Sequence, residues 1–476
     1  MTIKLHNTLS GKVEEFSPIE PGKVRMYNCG PTVYGTQHIG NLSMFVFTDV
    51  LRRFLEYRGL EVKQVINFTD FGHLTSDADE GEDKMSKGLK AEGLEPTLDN
   101  MHRLGRKYAG IFLEDLEKLN INVFGTTFPY ASEYVDAQIE LIKLLAQKGF
   151  TYTTSDGIYF DTSKFPEYGK LGGLSESGTE ARVAENTEKK NHRDFALWKL
   201  NPEIGWPSPW GQGFPGWHIE CSAMIMKILG PQIDIHTGGI EHIPVHHNNE
   251  IAQSEAATGK VPFSKFWLHR AHIQISGEKI AKSVGNTVFL SDIIAKDISP
   301  LAYRYFLLLS QYRTSTNFTW EALEAAGNAY RKLKESLALL DGAGQVSENY
   351  KNEFTEALEN DLNTPEALAV VWKLIKDAAV TPGDKRSTLL DFDKVLGLNL
   401  EKNEFAMTRI ETNTLNLPVV FSSVGNLPDE VLKKIAQREW ARKQGDFDEA
   451  DRLRREVKTL GFVIEDSSEG PRVSRA

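Results

Sequence analysis

The chain has 476 residues, a formal net charge of −11, and 40% hydrophobic and 25% charged residues. That is globular usage, which excludes a disordered or fibrous chain, and at ~150 residues per domain it implies about three domains. Its acidity argues against nucleic acid as a partner of the whole surface, but residues 427–476 carry equal numbers of acidic and basic side chains, so a basic face there stays open. Mean hydropathy is −0.36, and no apolar run reaches the ~18 residues of a membrane span. The first residues lack the apolar stretch of a secretory signal. Two cysteines cannot build a disulfide framework, so a reducing, cytoplasmic setting without a membrane is expected.

In chain order, KVRMYNCG (23–30) reads as a strand closed by a Gly-Pro turn. The apolar spacing of 41–59 predicts a helix stopping at Gly59. Residues 61–70 form a second strand and 98–120 a long amphipathic helix. This order predicts a doubly wound parallel sheet with ligands at the carboxyl ends of its strands. The rhythm then breaks. Helix 133–149 leads into a hairpin at 151–163 with a Ser-Asp-Gly turn, and 170–191 is Gly-rich and charged, as in a mobile loop. The α/β order resumes with helix 218–230, strand 231–239, helix 246–259 and a strand over 264–277. From about 300 the chain reads as helical: 317–342 begins at a Thr cap, and 364–380 begins with Thr followed by Pro. Residues 400–426 read as a linker. Two helices joined near Gly445 span 427–461, and a short strand pair or tail follows.

Cys29 ends the first strand, and Cys221 lies in helix 218–230. The segment HIPVHHNNE (242–250) places His246 and Glu250 at i and i+4, on one helical face. Two thiolates, one imidazole and one carboxylate suit zinc, with His242 and His247 as rival ligands. Buried small cysteines beside core or solvated histidines are the plain alternative. A weak carboxylate ligand can exchange, which would let a substrate thiolate bind.

GTQHIGN (35–41) joins the first strand to the first helix, whose free N–H groups attract phosphate. His38 adds a donor there, and Gly40 permits close approach. Lys279 and Lys282, in GEKIAKSVGNT (277–287), are mobile charges for polyphosphate. Taken singly, each segment reads as an ordinary loop. GQGFPG (211–216) contains Pro215 and lacks a strand–turn–helix setting, KMSK (84–87) sits in an acidic stretch, and no P-loop occurs, so none of these counts as a nucleotide motif.

Together, MYNCGPTVYGTQHIGN, NFTD, WPSPWGQGFPGWHIECSAM, HTGG, HHNNEIAQSEA and KIAKS resemble the cysteinyl-tRNA synthetases, which are class I aminoacyl-tRNA synthetases. The likeness runs over nearly the whole chain, in the family's order. It implies a class I α/β fold: a Rossmann-like doubly wound parallel sheet with an inserted α+β subdomain, then a helical bundle and a small C-terminal α/β module. The implied domains are a catalytic domain over 1–300 with a connective insertion at about 121–215, a stem-contact and helical-bundle tRNA-binding domain over 301–402, a linker at 403–426 and an anticodon-recognition module over 427–476.

The resemblance also assigns residues. Cys29, Cys221, His246 and Glu250 match the zinc ligands, and Thr32, Thr69, Trp217 and His236 the contacts to cysteine. HIGN (38–41) matches the HIGH signature, which gives His38 and Asn41, with Lys279 and Lys282, as catalytic residues and Gly40, His38 and Lys282 as the ATP site. KIAKS (279–283) matches KMSKS, whose lysines are Lys279 and Lys282. One zinc ion, Mg²⁺ with ATP, L-cysteine and tRNA(Cys) are the implied cofactor and partners, and a monomer is expected. Asn248 replaces a glutamate of the family's commoner form, leaving Glu250 as the carboxylate of its turn; the 71–90 segment also departs from the shortest family form. A cysteine–amino-sugar ligase would lack the tail from 427. A non-catalytic sensor of tRNA or cysteine would not need His38, Lys279 and Lys282, and a small-molecule nucleotidyltransferase would have no use for the helical and C-terminal parts.

Overall fold

The structure is a computed structural model, and it describes residues 2–72, 84–172, 188–275, 278–279, 287–401, 407–412, 419–424, 427–466 and 471–475. They fall into two compact units. One comprises Met1–Gly327, Glu348–Lys373 and Phe392–Leu398; the other comprises Asn328–Ser347, Leu374–Asp391 and Asn399–Ala476.

The first unit is built on a five-stranded sheet. Its spatial order is Ser264–Arg270, Ile233–Gly239, Lys23–Asn28, Glu61–Ile66 and Thr126–Thr127. Every pairing is parallel. Strand order therefore reverses between Lys23–Asn28 and Ile233–Gly239, the switch point of a doubly wound sheet. Right-handed crossovers place the helices leaving these two strands on opposite faces. Helices Ile39–Tyr57 and Leu98–Lys118 share one face, where Phe45 and Phe112 meet edge to face at 4.8 Å. Helices Trp217–Ile228 and His246–Thr258 pack together on the other. The latter is buried along nearly its whole length, so its polar sequence, HHNNEIAQSEA, is not a solvated face.

The expected hairpin is present as Thr151–Thr154 and Gly157–Phe160. It continues through Phe195–Leu200 to Gly213–Pro215 in an antiparallel sheet. The GQGFPG run thus ends in an edge strand, where a Cβ on Gly213 would lie 2.0 Å from the Lys199 carbonyl oxygen.

Four expectations are corrected. Residues 264–277 are not one strand: the chain turns at Ala271–His272, and Ile273–Ile275 joins Thr316–Phe318 in a separate three-stranded sheet. Ala271 N donates to Tyr312 O and Thr316 N to His272 O, which redirects the backbone. Helix 317–342 shrinks to Trp320–Ala338, still capped by Thr319. The cap of helix Thr364–Lys376 is Asn363, whose Oδ1 accepts from Glu366 N while its Nδ2 donates to Glu366. The stretch 403–426 holds two antiparallel strands, Met407–Thr412 and Val419–Val424. They extend the pair Phe462–Glu465 and Arg472–Arg475 into a four-stranded sheet beside helices Asp429–Lys443 and Phe447–Thr459. Their β-branched residues suit a pleated surface.

Nor does a compact unit end at residue 300. Asp361 accepts from His6 N, Tyr312 Oη and Arg313 Nε at 2.7–2.8 Å, tying a later helix end to the amino terminus. Arg304, fully buried, donates to Asp49 Oδ2 at 2.6 Å and to the carbonyls of Leu396 and Leu119. Among the described residues, no helix is long and apolar enough to cross a membrane.

Asp49→Ala would leave the Arg304 guanidinium buried without a counter-charge, and a loss of about 3–5 kcal/mol in urea unfolding is expected. A loss below about 1 kcal/mol would show that the carbonyls alone carry Arg304. Burial would raise the Asp49 carboxyl, but Arg304 and Arg53 overcome it and hold it below its ordinary value. The stabilisation is therefore complete above the ordinary carboxylate range and is lost as pH falls through the lowered value.

Candidate metal centre

The switch point collects side chains from four elements. Cys29 directly follows strand Lys23–Asn28, and its N–H donates to Thr237 O of the neighbouring strand. The next residue, Gly30, crosses so close to Asn67 that a Cβ would lie 1.6 Å from the Asn67 carbonyl oxygen. Cys221 faces inward from helix Trp217–Ile228. His246 and Glu250 lie one turn apart on the first turns of helix His246–Thr258. The ligand atoms of Cys29, Cys221, His246 and Glu250 all lie within 4.8 Å of one another, and all four residues are buried. His246 Nε2 is 3.0 Å and Cys29 Sγ 3.7 Å from Glu250 Oε1. The structure thus brings together the four residues singled out in the sequence.

A second set overlaps the first: Cys29, His236, His247 and Glu250. His236, in the middle of strand Ile233–Gly239, sits 2.9 Å from Glu250 Oε2, and His247 Nε2 is 3.3 Å from Cys29 Sγ. Of the rival histidines, His247 belongs to this set. His242 stands farther out, its ring 5.2 Å from those of His246 and His247. Gly238 makes room for both, since a Cβ there would meet their rings at 2.5–2.7 Å.

Burial and mutual contact couple the protonation of the groups in this pocket. Burial pushes the Cys29 thiol well above its ordinary value, and its hydrogen bond with Cys221 lowers that second thiol. Burial acts to raise Glu250, yet His236 and His246 hold it well below the usual range. His246 is drawn up to about 10 against its burial, chiefly by Glu250. Burial keeps His247 and His269 neutral. Among the described residues, the Nδ1 atoms of His236 and His242 have no hydrogen-bond partner. Sulfur, imidazole and carboxylate are the donors zinc takes.

An outer layer holds these groups. His246 Nδ1 is 2.8 Å from His218 Nδ1 and His247 Nδ1 is 2.8 Å from His269 Nε2, while His269 Nδ1 reaches Thr8 Oγ1 at 2.8 Å. Trp217 stacks on His246 at 4.4 Å, and Trp267 on His236 at 4.4 Å. The Lys84 ammonium lies 5.6 Å from the Trp217 ring, so KMSK opens helix Lys84–Ala91 rather than a loop. Thr32 and Thr69 form a backbone bridge, and the Thr69 hydroxyl donates to buried Glu220 at 2.8 Å. His218 and Glu220 were not singled out in the sequence, although His218 lies three residues before Cys221 and Glu220 immediately precedes it.

The phosphate-side residues lie at the start of helix Ile39–Tyr57. His38 is its N-cap, with Nδ1 accepting from Asn41 N at 3.2 Å, and Gly40 is in the first turn. Ile39 N donates to Val288 O, and His38 bridges Phe289, which brings the chain after KIAKS beside this helix start. Lys279 ends the two-residue strand Glu278–Lys279, paired with Gln274. Lys282 lies outside the described residues, as do parts of the 170–191 and 71–90 segments.

Comparison with known proteins agrees over the full length. The family model for the class I (C) tRNA synthetase catalytic domain matches residues 15–328, the DALR domain matches 353–401, and the cysteinyl-tRNA ligase anticodon binding domain matches 425–471. The chain is 41% identical over 481 residues to cysteine–tRNA ligase 1 of Burkholderia lata, covering 99% of this chain and 97% of that protein. It is 40% identical to the cysteine–tRNA ligase of Treponema denticola, covering 98% of each. It is 37% identical to that of Thermus thermophilus, covering 99% of each. Among solved structures, Mycobacterium tuberculosis methionyl-tRNA synthetase with methionyl-adenylate shares the fold, with a TM-score of 0.53 at 15% identity over 79% of this chain and 90% of that one.

Loading the protein with Co²⁺ is expected to produce a thiolate-to-cobalt charge-transfer absorption that weakens in Cys221→Ala. A spectrum without that band would mean that the thiols hold no metal.

Proposed function

The chain belongs to the cysteine–tRNA ligase family of class I aminoacyl-tRNA synthetases, and on that premise we propose that it activates L-cysteine with ATP and transfers it to tRNA(Cys). The observation that carries this reading is the buried Cys29–Cys221–His246–Glu250 set at the switch point of the sheet. These residues would hold zinc, which supplies a soft Lewis acid that takes a thiolate readily and a neutral hydroxyl poorly. We choose this set over the overlapping one because it contains both thiols. His236 then holds Glu250, and His247 backs Cys29 from the His269–Thr8 chain. With Nε2 of His246 as ligand, its Nδ1 proton faces His218, which fixes the ring.

The amino acid would lie between Trp217, stacked on His246, and Thr69, whose hydroxyl is oriented by Glu220. Thr32 completes that wall. Shape separates cysteine from serine by only about 1–3 kcal/mol; a choice made on sulfur chemistry exceeds this and removes the need for a hydrolytic editing domain.

Activation needs no side-chain nucleophile. The cysteine carboxylate oxygen forms a bond to the α-phosphorus of ATP, the bond to the bridging oxygen breaks, and pyrophosphate leaves with Mg²⁺. His38, whose cap geometry orients its ring, and the N–H groups around Gly40 and Asn41 stabilise the developing charge. Lys279 and Lys282 neutralise the pyrophosphate. The terminal ribose hydroxyl of tRNA(Cys) then attacks the acyl carbon, and AMP departs. The helical region and C-terminal module hold the tRNA, with Trp440, 48% exposed on helix Asp429–Lys443, as a stacking platform for an anticodon base. The protein works as a monomer in the cytoplasm.

Purified protein should carry about one zinc per chain and charge tRNA(Cys) with cysteine but not serine; metal-free protein that still rejected serine would overturn the selection mechanism. Lys282→Ala should depress cysteine-dependent ATP–pyrophosphate exchange, and unchanged exchange would remove that lysine from the reaction. Deleting 427–476 should impair tRNA charging far more than exchange. Equal loss of both would place the module in support of the catalytic unit.

A further inference from the structure

Four arginines are buried among the described residues: Arg52, Arg270, Arg304 and Arg438. Three of them face a carboxylate. Arg52 meets Glu56, Arg304 meets Asp49, and Arg438 meets Asp466. Arg270, only 5% exposed, has no carboxylate partner among the described residues. Its Nε donates to Ser43 Oγ at 2.9 Å, and its Nη2 has no hydrogen-bond partner. An isolated buried guanidinium costs several kcal/mol by rough estimate, so its retention calls for an anion that arrives with a ligand.

Its place in the fold says which anion. Arg270 ends strand Ser264–Arg270, at the carboxyl edge of the sheet where ligands bind. Side chains alternate along a strand. His269 turns toward His247 and Thr8 on the metal side, while Arg270 turns toward helix Ile39–Tyr57. Its partner Ser43 donates to Gly40 O at 2.7 Å, inside the first turn of that helix, and Tyr303 Oη donates to Ile39 O at 2.8 Å. The guanidinium is therefore coupled to the helix start whose free N–H groups already favour phosphate.

We propose that Arg270 is a phosphate-binding residue of the ATP site, presenting its unpartnered Nη2 to the triphosphate beside the amino end of helix Ile39–Tyr57. The assignment rests on the proposed ATP-dependent activation. Burial lowers the guanidinium to about 10, which still leaves it charged at neutral pH. Ser43 is the positioning residue: it holds Nε and so aims the rest of the fork.

The test uses the full chain with its metal. Arg270→Met keeps bulk and removes charge; Arg270→Lys keeps charge and removes the fork. In cysteine-dependent ATP–pyrophosphate exchange, Arg270→Met should raise the KM for ATP about tenfold to a hundredfold, as expected for a lost hydrogen bond to a charged group, with the KM for cysteine unchanged. Magnesium tripolyphosphate, used as the probe, should raise the melting temperature of the wild-type protein and leave that of Arg270→Met unmoved. A wild-type KM for ATP together with an undiminished tripolyphosphate shift in Arg270→Met would overturn the proposal, whatever that variant's own stability. Should Arg270→Met not fold, Arg270→Lys decides: a raised KM for ATP alone sustains the assignment, and unchanged constants overturn it. Absence of exchange in the wild type would instead remove the cysteine-activation reading, with the tripolyphosphate shift still testing Arg270.

Discussion

Two thiols, an imidazole and a carboxylate lie within 4.8 Å of one another with almost no access to water. Much of the surrounding structure reads as a response to that crowding. Low dielectric magnifies every unmet charge, so the groups around the set are arranged to hold it. Glu250 is flanked by two imidazoles, His246 is backed by His218, and His247 is backed by His269 and then Thr8. Trp217 and Trp267 wall the histidines with flat apolar faces. Gly30 and Gly238 stand where any side chain would collide with the pocket's own framework. The sheet supplies the meeting place, since only at its switch point do loops from opposite halves of the chain leave side by side.

One strand end serves two chemistries. Ser264–Arg270 closes with His269 toward the Cys29–His247 side and Arg270 toward the start of helix Ile39–Tyr57, so a shift of this strand would disturb both. The same division runs through the first crossover. Cys29 ends the strand that begins it, and His38 caps the helix that continues it. A sulfur-rich buried cluster and a helix start with free N–H groups are thereby held apart by a few residues of backbone. Under the proposed reaction, the carboxylate attack on phosphorus would gain from that placement rather than from a reactive side chain.

Much of the fold was legible because local signals and tertiary demands agree. The helix starting after His38, the hairpin at Thr151–Phe160 and the pair of helices turning at Gly445 all show periodicity and punctuation that the packed structure keeps. Where the reading failed, the cause is non-local. The run 264–277 carries no Gly or Pro before Gly277, and only the hydrogen bonds from Ala271 N to Tyr312 O and from Thr316 N to His272 O reveal its break. The strands at 407–412 and 419–424 pair with each other, and the second also pairs with residues some fifty positions later, a partner that local sequence does not announce. The four donors were recoverable from helical spacing and family likeness. The second donor set was not, since His236 lies on a strand and reaches Glu250 only through the sheet's register with its neighbours. Arg270 was equally silent: an arginine ending a strand gives no sign in sequence that it will be buried without a partner.

The long reach between Cys29 and Glu250, 221 positions apart, also bears on how the protein is made. Synthesis proceeds from the amino end, so Cys29 emerges from the ribosome long before the helix that completes its surroundings. Until residue 250 is free of the exit tunnel, that thiol has no imidazole or carboxylate beside it and behaves as an ordinary reactive cysteine. The meeting of Cys29 with Glu250 is then a contact that closes a loop of more than two hundred residues and joins the two sides of the sheet only after residue 250 has emerged.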